Sequence, residues 1–168
     1  KLTSLRIPGS VTSIGESAFS GCWELSELSV DAANKVYDSR ENCNAVIETA
    51  TNTLVAGCKN TTIPVGVTGI GDNAFRGCVN LENIDIPASV TSIGVRSFSG
   101  CGKLSNVTVP GSVTSIGNYA FNSCTGLTSV TIGNEVTSIG EKAFSGCTGL
   151  TSVTSHIPAD ALFVVNTN

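Results

Sequence analysis

The side chains best suited to chemistry in this chain of 168 residues are seven cysteines, at positions 22, 43, 58, 78, 101, 124 and 147, and one histidine, His156. Thiols pair as disulfides, hold zinc or attack a substrate, and each use needs a second group held close. Cys22, Cys78, Cys101, Cys124 and Cys147 each follow a phenylalanine by three residues: Phe19, Phe75, Phe98, Phe121 and Phe144. From Phe75 onward the pair recurs every 23 residues. Such a repeat lines the thiols up in parallel, one per structural unit. With units stacked at strand spacing, neighbouring Cβ atoms lie about 4.8 Å apart, beyond the roughly 3.5–4.5 Å of a disulfide. Zinc ligands converge on a point, often from cysteines a few residues apart, and the sequence has no such pair. His156 is nearest in sequence to Cys147, but Cys147 belongs to the repeated column, so no nucleophile and base come together. We expect a buried ladder of thiols beside a ladder of phenylalanines, His156 exposed, and no catalytic, cofactor-binding or metal site. Cys43 and Cys58 stand outside the ladder, and the sequence leaves a bond between them open. Asp31, Asp38, Glu41, Asn42 and Asn44 lie close in sequence, yet their spacing fits no EF-hand calcium loop.

Those side chains are positioned by a repeat. Val-Thr-Ser-Ile-Gly begins at Val11, Val90, Val113 and Val136, with a near copy at Val67. Regular 23-residue units therefore span 11–33, 67–89, 90–112, 113–135 and 136–158. Each also carries a pattern of the Leu-x-x-Leu-x-Leu type, as in Leu25, Leu28, Val30 or Leu104, Val107, Val109. The alternating second half of that pattern is the period of a strand with one buried face, and its β-branched residues suit a strand. The Val-Thr-Ser-Ile block predicts a second, shorter strand. Segments such as Glu141–Cys147 are too short for a free helix, and we read each as one helical or 3-10 turn closed by glycine. One such coil cannot cover its own apolar side, so coils must stack. The chain is thus expected to form a single β-rich solenoid over 1–168, right-handed, with a parallel sheet on its concave face.

Residues 34–66 break the register. Ala45–Thr49 and Leu54–Gly57 read as a hairpin around Ala50–Thr53. Two readings stay open: an enlarged coil that continues the stack, or a protruding contact element. Cys58 falls 23 residues before Leu81, in the leucine column, and reads as a buried substitute. Ala161–Val165 suggests a last strand.

Only 13% of residues are charged and the net charge is −4. That composition argues against a basic groove for nucleic acid. No apolar run approaches the roughly 20 residues of a membrane-spanning helix. The chain begins in mid-pattern at Lys1, so we expect a piece of a longer array. Its end, with Leu2, Leu5 and Ile7 exposed, would make it a monomer or a weakly end-to-end associating species.

The combination of Val-Thr-Ser-Ile-Gly, Ala-Phe-x-Gly-Cys and Leu-Thr-Ser-Val-Thr-Ile resembles the BspA-like, or Treponema pallidum type, class of leucine-rich repeats. The Asp38–Cys58 run resembles a variant seen in gut Bacteroides members. The resemblance implies a leucine-rich repeat solenoid in an exported bacterial surface protein. Members of that class are associated with adhesion to host matrix, host cells or other bacteria. It implies a non-catalytic module for a protein or glycan ligand, on the cell surface or secreted, and brings no catalytic residues. The alternative is a structural spacer or display scaffold with no ligand of its own. If the apolar strand residues point inward, the outward face offers Arg6, Glu27, Glu82 and Asp85, with Trp23 and Tyr37 at its margins. These are the candidate partner-binding residues.

Overall fold

The computed structural model describes residues 1–158 and the backbone of Val164–Val165. Thirteen strands follow one another: β1 Ser4–Ile7, β2 Glu27–Val30, β3 Tyr37–Asp38, β4 Ala45–Glu48, β5 Thr53–Gly57, β6 Gly69–Ile70, β7 Ser92–Ile93, β8 Asn106–Val109, β9 Ser115–Ile116, β10 Ser129–Ile132, β11 Ser138–Ile139, β12 Ser152–Ser155 and β13 Val164–Val165. They build a β-solenoid of stacked coils. Of the expected Ala161–Val165 strand, β13 is described, while Ala161–Phe163 lie outside the described residues.

The three regular coils from 90 onward give one strand to each of two sheets, whereas 11–33 gives only β2, the expected strand at Val11–Ile14 being absent, and 67–89 gives only β6. The leucine-pattern strands make β1–β2 and β8–β10–β12, all parallel and in register. The Val-Thr-Ser-Ile strands make one longer sheet in the order β13-β11-β9-β7-β6-β5-β4-β3. Threonine hydroxyls reinforce that second sheet: those of Thr91, Thr114 and Thr137 each donate to the threonine carbonyl one coil earlier, at 3.1, 3.2 and 3.1 Å.

Between the sheets lies the core. The rings of Phe75, Phe98, Phe121 and Phe144 stack nearly parallel at centroid separations of 4.9, 5.1 and 5.2 Å. Beside them the thiols of Cys101, Cys124 and Cys147 donate to the carbonyls of Phe75, Phe98 and Phe121, 26 residues earlier, at 3.2, 3.1 and 3.1 Å. Cys78 reaches the Gly57 carbonyl at 3.7 Å. Burial pushes the Cys78 thiol up to about 12 and the Cys101 thiol well above its ordinary value. Phe19 and Cys22 are half-buried and belong to a separate N-terminal cluster.

Helical turns are not what joins the two sheets. The Phe-containing segments are runs of hydrogen-bonded turns, such as Ala120 to Gly117, Asn122 to Tyr119 and Cys124 to Phe121. Asn73, Arg96, Tyr119 and Lys142, at one repeat position, take left-handed φ of 58, 52, 58 and 53°. That twist aims the amides of Asn73, Arg96 and Tyr119 along the stack, at Val95, Asn118 and Glu141 carbonyls of the next coil, each at 2.9 Å. The segment trades local helical bonds for bonds between coils. Among the described residues, the single 3-10 turn is Arg40–Asn42, in the irregular stretch.

That stretch folds inward. β4 and β5 form an antiparallel hairpin, and β5 joins β6 in parallel. Ala45, Val46 and Ile47 are each fully buried, so β4 is covered on both faces. Ala45 and Ile47 pack into the main core, whereas Val46 packs with Ile7, Leu25, Leu28 and Tyr37. The hairpin is therefore a wall dividing the interior in two. Asn34 anchors its start: its amide donates to the carbonyls of Pro8 and Val11, and its oxygen accepts from the amides of Val36 and Tyr37. A protruding contact element is excluded for this hairpin. Cys43 and Cys58 are unbonded and lie on opposite sides of the wall, so the disulfide left open by the sequence does not form.

Candidate binding face

In-register pairing sets the outward side chains of the leucine-pattern strands in straight rows. Ser4 meets Glu27 and Arg6 meets Ser29 across β1 and β2. Asn106, Ser129 and Ser152 form one row, and Thr108, Thr131 and Thr154 another. Alternation buries the residues between them, as in Val107 and Val109 at 2% and 1% exposure.

Arg6, Glu27, Glu82 and Asp85 are exposed on this face. They do not form one cluster. Arg6 holds Asp31 at 2.8 Å in a surface ion pair, the kind that contributes little to stability. Asp31 also accepts the Ala33 amide at 2.8 Å. Trp23 is 45% exposed at the corner before β2, its carbonyl held by the Asn80 side chain at 3.1 Å. Tyr37 is 6% exposed and packs in the N-terminal core against the hairpin wall. Its ring is not available to a partner, which corrects its place among the candidate residues. Ile7, expected to be exposed at the chain's beginning, is likewise 6% exposed, because β2 and the hairpin cover it, while Leu2 remains 47% exposed. His156 is exposed on the last described coil.

The carboxylates of the irregular stretch have other partners. Asp38 is gripped by Arg40, whose Nε and Nη2 donate to its two oxygens at 2.9 and 2.6 Å. Burial raises the Asp38 carboxyl, but bonds from the Arg40 side chain and backbone and its charge outweigh that, and the carboxyl sits below its ordinary value of 3.8.

The expected leucine-pattern strand is missing at one place. Asn83–Ile86 carries the right residues, Leu81, Ile84 and Ile86, yet forms no strand and pairs with neither neighbour. Ser105 and Lys103 still donate their amides to Glu82 and Val79, which ties the coil at its start only. The physical reason lies one coil earlier. There the backbone turns back on itself at Cys58–Thr61, with the Thr61 hydroxyl accepting the Cys58 amide and donating to the Asn44 carbonyl, so no strand stands on that side of Asn83–Ile86, and β8 on the other side pairs only with β10. The strand face is thus split. At the corner just before the split, Lys59, Asn60, Asn80, Glu82, Asn83 and Lys103 line a polar groove of about 670 Å³.

Two features escape a residue-by-residue reading. Asn60, Asn83 and Asn106 occupy one repeat position, 23 residues apart, a row visible only by counting across the irregular stretch. On another edge, the Tyr119 ring lies between the Arg96 guanidinium at 4.9 Å and the Lys142 ammonium at 5.8 Å, with its hydroxyl donating to Glu141 at 3.3 Å.

Comparison with known proteins agrees with this architecture. A leucine-rich cell surface protein from Faecalibacterium prausnitzii A2-165 matches over 99% of this chain and 52% of its own, with 26% identity and a TM-score of 0.67. The Treponema pallidum leucine-rich repeat protein matches over 91% of this chain and 70% of its own, at 26% identity and a TM-score of 0.63. The pneumococcal vaccine antigen PcpA, at 17% identity and a TM-score of 0.68, shares the fold over 97% of this chain and 47% of its own. The chain spans about half the length of the Faecalibacterium protein. No curated protein matches it. The family described as the BspA type leucine rich repeat region matches residues 1–43 and 45–162, in six copies. The chain belongs to the BspA-type leucine-rich repeat family.

Proposed function

We propose that this chain is a non-catalytic interaction module of a bacterial cell-surface or secreted protein, and that it adheres to a protein ligand on host matrix, host cells or other bacteria. The observation that carries the reading is the regular display of exposed polar side chains in rows across parallel, in-register strands. An extended face of this kind engages a partner over many coils, as repeat arrays do. Membership of a family represented by a leucine-rich cell surface protein supports the surface location. The test is a panel of immobilised matrix proteins and whole bacterial cells, probed with the chain and with an Arg6→Ala/Glu27→Ala/Asp85→Ala variant. Saturable binding that the variant loses is the expected result. Binding unchanged in the variant moves the site off this face, and no binding by either favours a spacer.

A further inference from the structure

We propose that the polar groove at the corner just before the split in the strand face is a binding site for an uncharged oligosaccharide. This goes beyond the strand-face reading and names both a site and a ligand class. The groove ends at Asn83, the first residue of the unpaired segment. Among the described residues, no protein acceptor is found for the Asn83 amide. The groove's volume of about 670 Å³ lies within the range of small-ligand clefts.

The lining decides the chemistry. Asn60, Asn80 and Asn83 present carboxamides, which donate and accept at once. A sugar hydroxyl also donates and accepts at once, so an amide meets neighbouring hydroxyls with both halves of its hydrogen-bonding capacity. Little of that capacity is used internally. The Asn80 amide donates to the Trp23 carbonyl, Asn83 accepts only a long 3.5 Å bond from Ser105, and the Asn60 side chain has no hydrogen-bond partner among the described residues. Charge then selects against ionic ligands. Two lysines, Lys59 and Lys103, offset two glutamates, Glu24 and Glu82, in the lining, and Glu24 is also paired with Lys1 at 3.4 Å. A polyanion or polycation gains no net attraction there. Apolar residues are nearly absent from the lining, which disfavours an apolar peptide.

A further observation points to a linear sugar. Asn60 and Asn83 repeat at one position of successive coils, so a chain laid along the stack meets an amide at each. Trp23 neighbours the groove: it precedes Glu24 of the lining, and its carbonyl accepts from the Asn80 side chain.

Trp23 is the single tryptophan, and the bond from the Asn80 side chain to its carbonyl couples its fluorescence to the groove. The experiment titrates the chain with cellohexaose, chitohexaose and mannohexaose, and with heparin and hyaluronan hexasaccharides as acidic comparators. At least one neutral sugar is expected to change the fluorescence saturably, with a dissociation constant of about 1 mM, typical of a shallow site closed by a few hydrogen bonds. An Asn60→Ala/Asn83→Ala variant, altered only at exposed side chains, is expected to lose about tenfold or more in affinity while its melting temperature stays unchanged. No saturable response to any neutral sugar overturns the proposal. So does a response confined to the acidic sugars, or one that the asparagine variant retains. Binding to matrix protein, read from the separate panel, stands or falls independently of these outcomes.

Discussion

Gly57→Ala tests whether the irregular coil truly abuts the phenylalanine stack. A Cβ at this position would lie 2.1 Å from Cε1 of Phe75, 2.5 Å from Cζ and 2.7 Å from Cδ1. Carbon atoms rest at about 3.5–4.0 Å, so the ring would have to withdraw by more than 1 Å. It has nowhere to go, because its other face is stacked on Phe98 at 4.9 Å and Phe75 is fully buried. Moving the glycine instead would break its own amide bond to the Ala74 carbonyl, at 2.8 Å. Overpacking costs about 1–3 kcal/mol, and a clamped ring belongs at the upper end. For a chain of this size, about 3 kcal/mol lowers the melting temperature by roughly 6–12 °C. A cycle with Phe75→Ala isolates the cause. That substitution alone costs about 3–5 kcal/mol through its cavity. It also makes room for the methyl group, so the double variant should be about as stable as Phe75→Ala alone. Denaturant unfolding of the four proteins measures this. Additivity within about 0.5 kcal/mol would refute the contact, because independent sites add.

Three other outcomes are expected. Ser123 holds φ of 57° where Gly77, Gly100 and Gly146 hold 73–78°, so Ser123→Gly removes left-handed strain and should raise stability by about 0.5–1 kcal/mol in thermal unfolding. Thiol titration without reductant should find seven free thiols in denaturant, and only half-buried Cys22 and Cys147 reacting promptly in the native protein; a count of five in denaturant would restore the Cys43–Cys58 bond. Asp38 has a folded pKa below 3.8, so its ion pair with Arg40 adds stability above that pH, which is lost as pH falls through the lowered value. Asp38→Asn should therefore melt lower than the parent at pH 7, by at most about 1 kcal/mol for so exposed a pair, and the gap should close under acid; a gap independent of pH would contradict the pairing.

The sequence carries the stacking because stacking is periodic. Phe75, Phe98, Phe121 and Phe144 need only the 23-residue count to be placed one above another, and the thiols follow from the same count. What it hides are the features that depend on a neighbouring coil. Phe19 shares the motif of the other phenylalanines yet leaves their stack, because Gly57 of the hairpin, and not another phenylalanine, sits beneath Phe75. Tyr37 reads as an exposed aromatic in a polar stretch, but the hairpin wall covers it. Asn83–Ile86 has a strand's side chains, but the coil before it offers no strand and β8 after it pairs only with β10. The left-handed column is opaque for a different reason: Arg96 and Tyr119 are not residues that favour positive φ, and their inter-coil amide bonds impose it.

A solenoid with one irregular coil must give up pairing somewhere, since two sheets cannot both stay in register when a unit of 33 residues replaces one of 23. Here the Val-Thr-Ser-Ile sheet keeps its continuity, through eight strands from β3 to β13, because β5 enters it in parallel beside β6. The leucine-pattern face takes the whole mismatch and divides into two strands and three. An unpaired extended segment exposes backbone amides and carbonyls that need polar company. Asparagine, lysine and glutamate line the groove just before this division, whereas β10 and β12 carry a plain surface of serine and threonine. The irregular coil thus acts on the outer face in two ways: its hairpin, buried as a wall inside the stack, breaks the leucine-pattern sheet, and its exit at Lys59 and Asn60 lines the groove beside the break.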